Sequence, residues 1–217
     1  MFALFDGLLF DLDGTLWDAV DAICVSWNRA LERLAPEYAG TVTRTRLMPC
    51  MGMLLPDILD RLVPELDQDR VQPILDQVLK EENAYVAEHG GVLYPGVEET
   101  LAILAARYPL FIVSNCQDGY IEAFFHAHGL GKYFTDYEDP GRTGKPKADN
   151  IALVVARNAL RRPLYIGDTQ GDWDAAAKAG VPFLHASYGF GRVSRPVASV
   201  SAFSQIPEAV SALERPT

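Results

Sequence analysis

At 217 residues the chain has room for one large domain, or for a core with a smaller insert. Its 49% hydrophobic content is enough to bury a substantial core and excludes a disordered chain. A net charge of −10 disfavours nucleic acid or an anionic membrane as partner, although a few local cations suffice to hold a phosphate. No apolar run reaches the roughly eighteen residues of a membrane span. The opening Met1-Phe2-Ala3-Leu4-Phe5 is apolar, but it lacks a basic lead and is interrupted by Asp6 and Asp11, so no secretory signal is expected. Cys24, Cys50 and Cys116 are widely spaced without a CxxC, which argues for reduced thiols and against a structural zinc site. A cytoplasmic globule is expected, and monomer or homodimer both fit.

The first element is a short apolar run, Leu8-Leu9-Phe10, that reads as a buried strand. Between residue 16 and about 90 there is almost no strand signal. Trp17 to Leu34 shows a helical face of Val20, Ile23, Cys24, Trp27, Ala30, Leu31 and Leu34, ended by Pro36. A second helix is predicted from Pro56 to Val63, stopped by Pro64, and a third from about Arg70 to His89, closed by Gly90-Gly91. The pattern then alternates. Helix is predicted over 97–108, strand over 110–113, helix over 119–128 capped by Gly129, and a short strand over 133–138. Helix 149–160, strand 164–166, helix 173–179 capped by Gly180 and strand 182–185 follow. The tail from Pro196 fits a short strand near Ser199-Val200 and a last helix from Pro207 to Leu213. Such alternation predicts an α/β fold, a doubly wound (Rossmann-like) parallel sheet carrying an inserted α-helical cap. The core is expected over 1–16 and 92–217, and the cap over 17–91.

Polar residues collect where the strands end. After Phe10 come Asp11-Leu12-Asp13-Gly14-Thr15, with the two carboxylates two apart and so on one face of the strand. Open α/β sheets bind ligands at this end of their strands. Two close carboxylates repel unless a cation or a shared proton separates them, and a hard cation such as Mg²⁺ prefers oxygen ligands. An Asp-Gly turn is the plainer explanation. Strand 110–113 runs into Ser114-Asn115, which suits either an N-cap or phosphate binding. Gly144-Lys145-Pro146-Lys147 places lysines in a loop before a helix, where a lysine is most often merely solvated. Strand 164–166 is followed by Gly167-Asp168-Thr169-Gln170-Gly171-Asp172, whose acids suit a metal site or helix capping.

Taken in order, DxDGT, Ser-Asn, Gly-Lys-Pro and GDxxxD resemble the four motifs of the haloacid dehalogenase-like hydrolase superfamily. The helical insert, Tyr94-Pro95-Gly96-Val97, Gly129-Leu130, Ala175-Ala176, Ala179-Gly180 and Tyr188-Gly189-Phe190-Gly191 are similar to its phosphoglycolate phosphatase-like branch. The resemblance implies a Mg²⁺-dependent phosphatase acting on a small phosphorylated metabolite, a phosphoglycolate-like compound or a sugar phosphate. Asp11 would be the nucleophile, passing through an aspartyl-phosphate, and Asp13 the general acid and base, with its backbone carbonyl on the metal. Asp168 would be a metal ligand, and Asp172 would bind the metal through water or hold the lysine. Ser114 and the amide of Asn115 would bind phosphate oxygens, and Thr15 would orient the nucleophile or the phosphate. For the lysine that bridges phosphate and nucleophile, spacing does not choose between Lys145 and Lys147, and the Gly-Lys-Pro context favours Lys145. Arg44 and Arg46, in the loop over 40–56, are candidates for holding a second anion of the substrate or are a solvated surface.

Two other functions stand beside this one. A phosphomutase of the β-phosphoglucomutase type is disfavoured because every histidine follows the first cap helix and Ile23 stands ten residues after Asp13. A catalytically inactive binding protein is disfavoured by four intact acids. His126 and His128 read as packing or surface residues, and Cys116 as a small packing residue or an oxidation-sensitive thiol.

Overall fold

The computed structural model describes residues 5–194 and 198–214; Met1 to Leu4 and Pro196, included in the expectations above, lie outside them. Strand β1 (Gly7–Phe10) opens the fold, and β2 (Trp17–Asp18) follows the DxDGT turn. Helices α1 (Val20–Leu34), α2 (Arg44–Leu47), α3 (Leu55–Leu62) and α4 (Gln68–His89) come next. Strand β3 (Val92–Leu93) then returns antiparallel to β2, with Trp17 opposite Leu93 and Asp18 opposite Val92. The helical insert thus leaves and rejoins the core through a two-stranded ribbon. The sequence predicts helix from Trp17, but the structure starts it at Val20. Residues 17 and 18 are extended because they pair with the returning chain.

The core continues with α5 (Val97–Ala105), β4 (Leu110–Val113), α6 (Tyr120–His128), β5 (Phe134–Glu138) and the short α7 (Pro140–Thr143). It closes with α8 (Lys147–Arg157), β6 (Pro163–Gly167), α9 (Gln170–Ala179), β7 (Phe183–Ala186), β8 (Ser199–Val200) and α10 (Ile206–Leu213). Six strands form one parallel sheet in the order β5-β4-β1-β6-β7-β8. β1 lies between β4 and β6, with Leu8 in register with Leu110 and Leu164. The strand order reverses beside β1, the kind of position where doubly wound sheets open a crevice at their carboxyl ends.

Every residue of β1 and β4 is buried, as expected of strands covered on both faces. Their side chains alternate between two apolar layers. Leu8, Phe10, Leu110 and Ile112 join Leu101, Phe124 and Val210 on one face. Leu9, Phe111 and Val113 join Ile151, Val154 and Ala176 on the other. The first layer also runs on into the helical insert through Trp17, Trp27, Leu31 and Val78. Trp17 is fully buried where ribbon meets core, edge-on to Phe124 and His128 with centroids 4.9 and 5.4 Å away. His128 therefore serves packing.

Candidate functional site

Four strand-end loops of the sheet converge on one crevice. Beyond β1, the chain turns at Gly14, whose φ of 81° is a left-handed conformation that favours glycine. The turn is closed by bonds from the Thr15 and Leu16 amides to the Leu12 carbonyl at 3.2 and 2.8 Å. Asp11 stays on the sheet, its amide bonded 2.8 Å to the Ile166 carbonyl, and it is only 2% exposed. Asp13 points to the α6 side, where the Tyr120 hydroxyl donates to its Oδ1 at 3.1 Å.

The α9 end is built by a capping box. Thr169 Oγ1 accepts from the Asp172 amide at 3.1 Å, and Asp172 Oδ2 accepts from the Thr169 amide at 2.9 Å. That pins Asp172 and leaves its Oδ1 for the Lys147 ammonium. Asp168 Oδ2 accepts from the amides of Phe190 and Gly191 at 2.7 and 3.1 Å. Gly189 permits this approach, since a Cβ there would sit 2.2 Å from the Gly14 carbonyl oxygen and 2.4 Å from the Asp168 Cβ.

The lysine that reaches Asp11 is Lys147. Its Nζ lies 2.8 Å from Asp11 Oδ1 and 2.6 Å from Asp172 Oδ1, and it is buried. Lys145, favoured on sequence context, is exposed at the outer rim, with its carbonyl accepting from Asn150 Nδ2. The reason is the start of α8. Pro146, extended at ψ 158°, is its N-cap, so Lys147 is the first helical residue and its side chain turns into the crevice.

The electrostatics follow from crowding. Burial, with the charge of Asp172 next, pushes Asp11 up to about 6, while Lys147 and the Ser114 hydroxyl pull it down. Burial, then the charges of Asp172 and Asp11, pushes Asp168 up to about 8. Burial and the charge of Asp11 push Asp13 well above the usual carboxylate value. For Lys147, burial acts downward, but Asp11 and Asp172 outweigh it and hold the ammonium well above the ordinary lysine value. Three carboxylates against one ammonium leave negative charge uncompensated, which calls for another cation.

A hard divalent cation such as Mg²⁺ fits. Asp11, Asp168 and Asp172 each offer an oxygen within 4.8 Å of the others. Asp168 Oδ1 is buried with no hydrogen-bond partner, an acceptor already desolvated and waiting for a positive charge. The Asp13 carboxylate is not in this group of three.

Of the other residues singled out in the sequence, Ser114 is buried beside Asp11. Asn115 lies at the crevice mouth, where its Nδ2 donates 3.0 Å to the Gly52 carbonyl of the helical insert. Thr15 is fully buried, its hydroxyl without a partner and its carbonyl accepting from Tyr188 Oη at 2.8 Å. Arg44 and Arg46 do not face the crevice. Arg44 is paired with Asp18 and Asp21, and Arg46 donates to the Thr41 and Leu62 carbonyls. Burial pushes the Cys116 thiol far up, so it is a packing residue rather than a reactive one.

One residue escaped the sequence reading. Glu82 is 3% exposed on α4, and it accepts from Gln117 Nε2 at 2.8 Å and from the Trp27 indole. Its signal was available: Ile74, Val78, Glu82 and Val86 form the buried stripe of α4, four residues apart, with one acid among aliphatics. Glu82 and Asp13 line the same small cavity.

Residues 8–186 match the family described as haloacid dehalogenase-like hydrolase. The phosphoglycolate phosphatase of Escherichia coli (strain K12) is 29% identical over 209 residues, covering 85% of this chain and 82% of that one. That of Salmonella typhi is 27% identical over the same length and shares. Among solved structures, a haloacid dehalogenase-like hydrolase from Bacteroides fragilis superposes with a TM-score of 0.80 at 25% identity, covering 93% of this chain and 99% of that one. CbbY from Rhodobacter sphaeroides in complex with phosphate gives 0.76 at 17% identity, covering 95% and 99%; this likeness concerns the fold alone.

Proposed function

The chain belongs to the haloacid dehalogenase-like hydrolase family, and from that premise we propose that it is a Mg²⁺-dependent phosphatase of a small phosphorylated metabolite, working through an aspartyl-phosphate on Asp11. The observation that carries this reading is the buried contact of Lys147 with both Asp11 and Asp172, beside the partnerless oxygen of Asp168. Phosphoglycolate phosphatases among the relatives support the reaction class.

Asp11, Asp168, Asp172 and the Asp13 carbonyl would hold Mg²⁺, which when bound supplies positive charge to the phosphate oxygens. Lys147 fixes Asp11 through Oδ1 and adds a second positive charge beside the dianion that Asp11 must approach. Asp11 attacks phosphorus as the bond to the leaving oxygen breaks, and Asp13 gives that oxygen its proton. Burial beside Asp11 favours the protonated Asp13 that this step needs. Asp13 then takes a proton from water, which attacks phosphorus, breaks the acyl-phosphate bond, frees phosphate and restores Asp11. Ser114 and the Asn115 amide bind phosphate oxygens throughout. The segment 17–91 acts as a cap on its paired strands, closing over the crevice to exclude water during the first transfer.

The test is phosphate release from a panel of small phosphoesters with Mg²⁺, comparing wild type with Asp11→Asn. Turnover of one compound, abolished in the variant, is expected. Equal rates in both proteins would remove Asp11 as nucleophile.

A further inference from the structure

We propose that the cap selects phosphoesters whose leaving alcohol carries a hydrogen-bond donor, hydroxyl or ammonium, and no second anion, and that Glu82 reads this donor. The inference rests on the phosphatase reading above. Asp13 protonates the leaving oxygen in that reading, so the atoms behind the oxygen occupy the cavity that Asp13 borders. That cavity, of about 30 Å³, is walled by Ile23, Trp27, Leu47, Met51 and Ile58, with Glu82 as its other acid. This is roughly one water's share of the liquid, so the cap must open to admit a leaving group and closes around it.

Glu82 is a buried carboxylate held by two neutral donors, the Gln117 amide and the Trp27 indole. Each of its oxygens keeps a further lone pair. Above about pH 7, where Glu82 is ionised, its buried charge without a cation is costly, and a donor brought in by the substrate offsets that cost. No Lys or Arg borders the cavity among the described residues. Arg44 and Arg46 are engaged elsewhere, and Lys145 borders an adjoining outer groove of about 530 Å³ rather than the cavity itself. A carboxylate or second phosphate behind the leaving oxygen would therefore meet the Glu82 carboxylate with no Lys or Arg lining the cavity. The phosphoglycolate that the relatives are named for has such a carboxylate. Specificity here departs from theirs.

The measurement is kcat/KM with Mg²⁺, at a pH above 7 where Glu82 is ionised, for acetyl phosphate, n-propyl phosphate, glycerol 3-phosphate, O-phosphoethanolamine and phosphoglycolate, in wild type and Glu82→Gln. In the wild type, glycerol 3-phosphate or O-phosphoethanolamine is expected to exceed n-propyl phosphate by about tenfold, with phosphoglycolate the poorest. Which of the two leads tells hydroxyl from ammonium. In the variant the donor advantage over n-propyl phosphate shrinks by about tenfold, and phosphoglycolate gains on n-propyl phosphate. A wild type that prefers phosphoglycolate overturns the proposal, and this ranking needs no variant to fold. So do ratios unchanged in Glu82→Gln, the result if Glu82 only latches the cap to Gln117. No release from any compound, acetyl phosphate included, removes the phosphatase reading itself, and this inference with it.

Discussion

The Lys147 ammonium lies 2.6 Å from Asp172 Oδ1, with both side chains buried and the Asp172 carboxylate fixed by the first turn of α9. A lysine at a helix N-terminus works against the helix dipole, so its place there is set by the carboxylates it meets. Removing it should cost the reaction its fixed positive charge. Lys147→Met is expected to lower kcat by about 10²–10³-fold, whereas Lys145→Ala, on an exposed side chain, should change it by less than about threefold. Steady-state phosphate release on both variants checks this. The reverse ranking would return the role to Lys145.

Asp168→Asn removes one charge from the crowded acids while fitting the local bonds. The amide oxygen can accept from Phe190 and Gly191 as Oδ2 does, and the amide nitrogen takes the place of the partnerless Oδ1. With metal chelated at neutral pH, the variant should melt a few degrees above wild type, because the folded protein no longer has to hold a proton on Asp168 that the unfolded chain gives up. On adding Mg²⁺, wild type should gain stability and the variant should not. Thermal melts with EDTA and with Mg²⁺ read both effects. An equal Mg²⁺ response in the two proteins would take Asp168 out of the metal site.

Gly189→Ala would press a methyl onto the Gly14 carbonyl and the Asp168 side chain. Overpacking of this kind costs about 1–3 kcal/mol, and here the strain falls on Asp168, one of the proposed metal ligands. Denaturant unfolding should show that loss, together with weaker Mg²⁺ binding by calorimetry.

Glu82 gives a pH signature. Burial pushes it from 4.5 up to about 7, so between these values the unfolded chain is ionised while the folded protein still holds the proton. Rising pH therefore favours unfolding across this window, and the loss is complete above about 7, with a full extent of about 3 kcal/mol. Glu82→Gln has no such proton, and Asp11 and Asp168 titrate alike in both proteins. The stability of the variant relative to wild type should thus climb from pH 4.5 to 7 and then level. A flat difference would mean that Glu82 is not desolvated.

The strands were legible because runs such as Leu8-Leu9-Phe10 and Leu110-Phe111-Ile112-Val113 are buried on both faces and carry no polar interruption. The long helices of the insert were legible through their apolar stripes and their proline or glycine ends. Trp17–Asp18 was not, since two residues hold no period and their extension comes from pairing with a strand far along the chain. Asp11, Asp168 and Ser114 stood out because strand ends in this topology converge, and the fold does bring them together. Lys147 was second choice because the sequence alone put the helix start at Asp149, two residues too late, which left both lysines in a loop. Glu82 was hidden by a general habit of reading an acid on a helix as solvated. Only a look at its neighbours in the stripe reveals it.

The order of the strands has a consequence for how this protein is made. β1 pairs with β4 on one side and β6 on the other, yet Leu110 and Leu164 are synthesised long after Leu8. At ribosomal rates of about 5–20 residues per second, roughly 10–30 seconds pass between β1 and the arrival of β6. During that interval an apolar strand that runs into Asp11 has emerged with an open edge, and the helices of the insert still lack α6, against which α4 packs. A nascent chain that stalls before Pro163 therefore leaves one edge of this buried, apolar strand unpaired, and this is the stage at which a chaperone or an aggregate would find it.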